Sequence, residues 1–222
     1  MLNLDIPSTL NQGLGDFNTR HRFLGNINDP VKNLLGSDEG ANVSIEMRYE
    51  LTDKIELYGL RISEQKEYNF GISYNKYLDF IKVNSQIKLL FFTEKYVGLD
   101  ERQNNLFYQL NFSKKDIFDR LTLVLNFGYD GYNLRFSNGI GAMVKLSKKF
   151  FVLSEYFPVQ DKNERWTGSK DSFAFGFKYK TYGHYFAFQL GNSTAIGVRK
   201  VSLGSNTNDL FLGFNMQRIL RF

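Results

Sequence analysis

Few side chains in this sequence of 222 residues could make or break bonds. There are two histidines, His21 and His184, and no cysteine. The lack of cysteine removes disulfides, thiolate metal sites, a cysteine nucleophile and a lipid-modified cysteine. A metal centre needs ligands that converge from fixed spacings, and no HxxxH, HxH or Asp-rich loop is present. A serine hydrolase needs a histidine base beside its nucleophile and a third group to orient that base. His184 and Ser193 stand nine residues apart on one period-two stretch, about 30 Å at the rise of a strand, so they cannot share a proton. No GxSxG and no GxxxxGK[ST] occurs, and the GIG and GLG fragments are isolated glycines. The expectation is a protein that is not an enzyme and uses no metal and no cofactor.

The charged residues carry a different signal, which is alternation. Glu46, Arg48 and Glu50 occupy every second position, as do Lys178 and Lys180. In an extended chain such residues share one face about 7 Å apart, so Arg48 is placed to reach both carboxylates. Glu56, Lys82, Lys88, Arg135, Lys145 and Glu155 fall on the same parity of their own segments. Both signs are present on that face. For the whole chain, 28 basic and 23 acidic residues give a net charge of +5, interleaved rather than concentrated on one element as a nucleic-acid binder requires. No nucleic-acid partner is expected.

The elements that must position these charges are strands. In ANVSIEMRYEL, Val43, Ile45, Met47, Tyr49 and Leu51 alternate with polar residues, and RLTLVLNFGYD and DSFAFGFKYK repeat the pattern. Strands are predicted near 17–24, 41–51, 55–63, 67–76, 82–93, 105–113, 120–129, 133–146, 150–157, 171–180, 183–191 and 208–222. Several run to about ten residues, the length of a tilted membrane-spanning strand. The apolar face carries Phe, Leu and Tyr, and aromatics reach 16% of the chain although mean hydropathy is −0.34. The longest apolar runs, Leu89 to Phe92 and Phe150 to Leu153, are far too short for a spanning helix. Apolar-out and polar-in at this length predicts an all-β fold, a transmembrane antiparallel up-and-down barrel of about twelve strands. Closure is required because hydrocarbon leaves no unpaired backbone group solvated.

The lipid bilayer is then a partner, and the face bearing Glu46, Arg48, Glu50, Glu56, Lys82, Lys88, Arg135, Lys145, Glu155, Lys178 and Lys180 lines the lumen. Glu155 belongs there because the opposite parity would put a carboxylate in hydrocarbon. Short links alternate with mostly longer ones, which predicts periplasmic turns, external loops and both termini in the periplasm. One domain, 1–222, is expected, with 1–40 as an N-terminal segment and 41–222 as barrel strands. Residues 17–24 alternate poorly and are the weakest strand. Asp29 to Gly36 suggests a short helix that could plug the lumen. Tyr96, Phe157 and Trp166 are read as loop aromatics, Trp166 as an interface anchor. No charged n-region followed by an apolar stretch opens the sequence. The lumen is left with two readings: a narrow small-solute channel with a mixed-charge lining and modest anion preference, or an ion-pair-filled barrel acting as a structural or interaction subunit beside another outer-membrane protein.

Five stretches in order, HRF at 21–23, RYELTDKIEL at 48–57, GIGAMVKLSKKFFVLSEYF at 139–157, GHYFAFQLGNS at 183–193 and DLFLGFNMQRILRF at 209–222, resemble the small Bacteroidetes-type outer-membrane β-barrel proteins catalogued as a domain of unknown function. The resemblance implies a place in the outer membrane of Gram-negative bacteria and a cleaved signal. It implies no activity and no substrate. It further implies that the closing strand, through Phe214, Met216, Leu220 and Phe222, is an assembly signal read by the barrel-assembly machinery.

Overall fold

The alternating segments fold as twelve antiparallel strands. The structure, a computed structural model, describes residues 1–28, 33–95, 101–160 and 170–221. The strands are β1 (Leu14–Asn26), β2 (Ala41–Glu50), β3 (Ile55–Ile62), β4 (Glu67–Leu78), β5 (Val83–Glu94), β6 (Gln103–Ile117), β7 (Leu121–Asp130), β8 (Arg135–Lys145), β9 (Phe150–Phe157), β10 (Ser172–Lys180), β11 (His184–Gly191) and β12 (Phe211–Arg221). Each pairs with its sequence neighbours, and β12 pairs with β1 to close the barrel. The poorly alternating first segment is therefore a full strand. Its pattern is blurred because His21 faces outward, stacked on Phe214 at 4.9 Å, while Arg20 and Arg22 are buried inward.

The exterior is apolar. Ile45, Phe70, Ile72, Ile87, Phe127, Phe136, Phe175 and Phe188 are all exposed on the outer face. Left to water, such a belt would aggregate; in a bilayer it is the contact surface. Phe80, Phe118 and Tyr182 project from three of the short turns, where aromatics suit the membrane interface. On β12, Phe214 and Met216 flank buried Asn215 and turn outward, with Leu220 on their parity. Phe222 lies outside the described residues.

Among the described residues, two segments that are not strands enter the lumen. Residues 1–12 come in from the turn end. Residues 192–207, between β11 and β12, fold back from the loop end around a one-turn helix, α1 (Val198–Val201). Inside the barrel an apolar cluster forms where they meet the wall: Leu4, Ile196, Val198 and Val201 pack against inward-facing Tyr58, Leu60, Ile62, Leu90, Phe92, Phe107, Val124 and Phe157. Phe157 is thus a fully buried wall residue rather than a loop aromatic. Tyr96 and Trp166 lie outside the described residues.

The described part of the segment expected to be a helix over 29–36 lies against the wall strands and not in the lumen. Asp29 to Lys32 lie outside the described residues. Leu34–Glu39 forms a short 3-10 segment against β1 and β12, with Leu34 and Leu35 exposed. Gly36, at φ 85°, sits so close to Gly25 that a Cβ there would stand 1.9 Å from the Gly25 carbonyl oxygen; only glycine fits.

Candidate functional site

The lumen holds two ionic lattices, each built from wall residues plus one inserted segment. In the lattice nearer the turn end, β2 presents Glu46 and Arg48 two residues apart. Arg48 Nε donates to Glu46 Oε1 at 2.6 Å and Arg48 Nη2 to Asp5 Oδ1 at 2.8 Å. Arg20 from β1 reaches Glu46 at 2.7 Å, and Lys88 from β5 reaches Asp5 at 3.1 Å. The Lys88 ammonium also rests 3.5 Å from the centre of the Tyr58 ring, a cation–π contact strengthened by burial. Arg48 therefore bridges Glu46 and Asp5, not Glu46 and Glu50. The inserted segment takes the place that strand spacing alone would give to Glu50. Burial would raise the Asp5 carboxyl, but Lys88, Arg48 and Arg20 outweigh that and hold it well below the usual carboxylate range.

The second lattice lies toward the loop end. Arg199 of α1 reaches Glu67 at 2.8 Å, Glu94 at 3.0 Å and Asp130 at 3.2 Å, and its guanidinium lies 3.8 Å from the centre of the Phe92 ring. Lys200 pairs with Glu94 and Gln65. Burial opposes the Arg199 charge, yet the three carboxylates raise its pKa above the ordinary arginine value. Because β4, β5 and β7 each supply one carboxylate, this arginine ties residues 192–207 to three strands at once.

A third contact holds residues 2–4. Glu155 of β9 accepts the backbone N–H of Leu2 at 2.6 Å, of Asn3 at 2.8 Å and of Leu4 at 3.2 Å. Arg22 of β1 donates to the Leu2 carbonyl at 3.3 Å and to Asn3 Oδ1 at 3.1 Å.

Water-accessible space is left at both ends. A cavity of about 490 Å³ opens at the turn end, and eight basic side chains line it against three acidic ones. A cavity of about 370 Å³ opens at the loop end, lined by Glu64, Ser193, Lys200 and Thr207 among others. Between them remains a void of about 30 Å³ among Asp5, Tyr58, Phe107, Ile196 and Arg199, room for about one water molecule.

Against the sequence-based expectations, Glu46, Glu50, Glu56, Lys88, Arg135 and Glu155 are buried on the inward face, and Glu50 stands opposite Glu56 in the β2–β3 register. Arg48, Lys145, Lys178 and Lys180 border the wide turn-end cavity. Lys82 is misplaced by the sequence reading. It sits exposed in the turn 79–82 at φ 54°, because β5 starts only at Val83. Asp5, Arg20, Arg22, Glu67, Glu94, Asp130, Arg199 and Lys200 were missed. The parity of Lys88 extends to Glu94, and that of Asn126 to Asp130, so those two were within reach of the alternation rule. His184 stacks on Phe186 at 6.0 Å beside the 181–183 turn, at the opposite end of β11 from Ser193. Among the described residues, no three His, Asp or Glu side chains group to hold a metal.

No curated protein sequence matches the chain. Residues 128–220 match the family described as "Membrane bound beta barrel domain (DUF5777)". Among solved structures, the chain is similar to an outer membrane channel from Pseudomonas putida F1, at 12% identity and TM-score 0.54, over 98% of this chain and 100% of that one. It is similar to the NanC porin at 8% identity and TM-score 0.53, over 94% and 99%. It is also similar to the Acinetobacter baumannii outer membrane protein Omp33 at 9% identity and TM-score 0.51, over 97% and 100%. It spans only 55% of the longer Rh. blastica porin chains, at TM-scores near 0.42, a likeness too slight to argue from. The lipid-facing belt, the closed ladder and the matched domain agree: this is a membrane-spanning β-barrel of the bacterial outer membrane, porin-like in fold.

Proposed function

We propose that the protein is a narrow small-solute channel, closed in this conformation by residues 1–12 and 192–207. The observation that carries the reading is a cavity of about 490 Å³ at the turn end and one of about 370 Å³ at the loop end, with a void of about 30 Å³ where Asp5 and Arg199 of the two inserted segments approach each other. A barrel built solely as a scaffold has no need of a wide, charged cavity at each end. Twelve strands lie between the filled eight-stranded barrels and the open sixteen-stranded porins, so small inserts suffice to close the waist. The turn end takes the periplasmic side, and its excess of Lys and Arg favours anions as permeant species. The similarity to a channel and a porin is consistent with this reading and does not define a solute.

The dense interior lattice favours a second reading, a non-conducting structural or interaction subunit of an outer-membrane assembly, with an outer-membrane protein as its partner. Recording from purified protein in planar bilayers under a salt gradient decides between them. Stepwise conductance with an anion-selective reversal potential is expected. Silence, together with a stable co-purifying outer-membrane protein, would favour the second reading. Insertion by the barrel-assembly machinery through Phe214, Met216, Leu220 and Phe222 of the closing strand is part of the same proposal. Replacement of Phe214 and Met216 by serine should lower the yield of inserted barrel without lowering synthesis.

A further inference from the structure

The segment in the lumen is held as a ligand is held. Leu2 lies between two oppositely charged, buried side chains. Glu155 takes its N–H at 2.6 Å and Arg22 donates to its carbonyl at 3.3 Å. The Leu2 side chain fills an apolar socket of Leu153, Ala174 and Ala187. The wall has been hollowed for the residues that follow. Gly139 and Gly141 of β8 face inward, and a Cβ on either would lie 2.5 Å from a Leu4 methyl carbon. Among the described residues, neither charge has an ionic partner at hydrogen-bond distance: Glu155 is satisfied by three peptide N–H groups, and Arg22 by carbonyls and the side-chain oxygens of Asn3 and Asn215. Buried charges are normally paired. Here each is complementary to one end of an amino acid, and Arg22 Nε, also buried, has no partner among the described residues, a donor that a carboxylate could use and a single peptide carbonyl does not.

We propose that Glu155, Arg22 and the Leu153–Ala174–Ala187 socket form a binding site for short apolar peptides, and that residues 2–4 occupy it in their absence. In the site, Glu155 faces the ammonium of such a peptide, Arg22 its carbonyl or carboxylate, and the socket an apolar side chain. The inference deepens the channel reading and rests on it only in that the peptide is a solute in transit. A peptide that takes the site expels the segment that closes the turn-end half of the lumen, so ligand and gate are coupled.

The test uses the full chain carrying Leu2→Cys, the only thiol in a protein without native cysteine, reconstituted in vesicles and exposed to a membrane-impermeant maleimide. Leucyl-leucine at ten times its Kd for the vacated site should multiply the displaced fraction, and with it the labelling rate, about tenfold and saturably. N-acetyl-leucyl-leucine amide, which lacks both charges, should do much less. Glu155→Gln or Arg22→Gln should abolish the response even where basal labelling rises. If Leu2→Cys does not yield a heat-modifiable barrel, Asn3→Cys reports on the same segment. A labelling rate indifferent to leucyl-leucine up to its solubility limit, or a response matched by glucose, overturns the proposal. Conductance recorded on the same preparation judges the channel separately. Current without a peptide response sinks the site alone; a peptide response without current keeps the site and sinks the channel.

Discussion

Arg199→Ala should free residues 192–207 while leaving the barrel closed. The side chain contributes ion pairs to Glu67, Glu94 and Asp130, whose side chains are 2%, 0% and 0% exposed. Removing one partner of a buried pair costs about 3–5 kcal/mol, because the remaining charges are left in low dielectric. Lys200 still compensates Glu94, so the lower end of that range applies, about 3 kcal/mol. At about 1.4 kcal/mol per factor of ten, the detached population of the segment rises about 100-fold. The twelve-strand ladder shares none of these contacts, so heat modifiability on gels should persist. The assay is the labelling rate of Ile196→Cys, a position 1% exposed within the apolar cluster. It should rise about 100-fold with alanine at 199. With lysine there, which keeps the charge and loses the planar fork, an intermediate rise is expected. If Ile196→Cys labels no faster in Arg199→Ala than beside the native arginine, while the barrel remains folded, Arg199 is not what holds the segment, and the argument from buried charge is wrong.

Arg48→Ala should be milder than its position between two carboxylates suggests, because Glu46 keeps Arg20 at 2.7 Å and Asp5 keeps Lys88 at 3.1 Å; the temperature at which the heat-modifiable gel shift is lost should fall by only a few degrees, and a collapse of folding would show the partners are not interchangeable. Glu155→Gln replaces a charged acceptor of three N–H groups by a neutral one about half as strong, so labelling of a cysteine at position 2 should rise about tenfold, a loss of about 1.4 kcal/mol in seating. Asp5 makes the seating of residues 1–12 acid-sensitive in one direction only. Its carboxyl is held below its ordinary 3.8, so its stabilisation is fully present above that value and is lost as pH falls through the depressed one. Asp5's share of the seating, read as the difference in labelling at position 2 between the native residue and Asp5→Asn and normalised to a cysteine at exposed position 182, should therefore be flat from neutral pH down to about pH 5, and a difference that already shrinks near pH 6 would show that the Asp5 carboxyl is not held low.

The barrel was legible in the sequence because its solvent imposes one rule on every strand. Ile45 and Met47 face lipid while Glu46 and Arg48 face inward, and period-two alternation records that directly. The rule also hid part of the interior. Tyr58, Leu60 and Ile62 on β3 share the inward parity of Glu56, and Phe92 on β5 that of Lys88, but a rule that reserves the inner face for polar residues does not foresee that they wall an internal apolar cluster. The unbroken run Leu89 to Phe92 was the available signal: a strand apolar on both faces has something apolar on both sides. The inserted segments left no such trace. Residues 1–12 and 192–207 have no periodicity, and Arg199 finds its carboxylates on β4, β5 and β7, residues distant in sequence that only the closed barrel brings together. Glu50 was assigned to Arg48 because same-strand neighbours are the only partners sequence spacing can offer.

Side-specific access to the two cavities tests the account most directly. In vesicles of known orientation, Lys178→Cys borders the turn-end cavity and Ser193→Cys the loop-end one. With both inserts in place, a membrane-impermeant maleimide should reach position 178 only from the turn side and position 193 only from the loop side; with Arg199→Ala combined with Glu155→Gln, which loosens both inserts, each should become reachable from both. Labelling of position 178 from both sides in the presence of Arg199, or from neither, would contradict a lumen closed at its waist between two water-filled cavities.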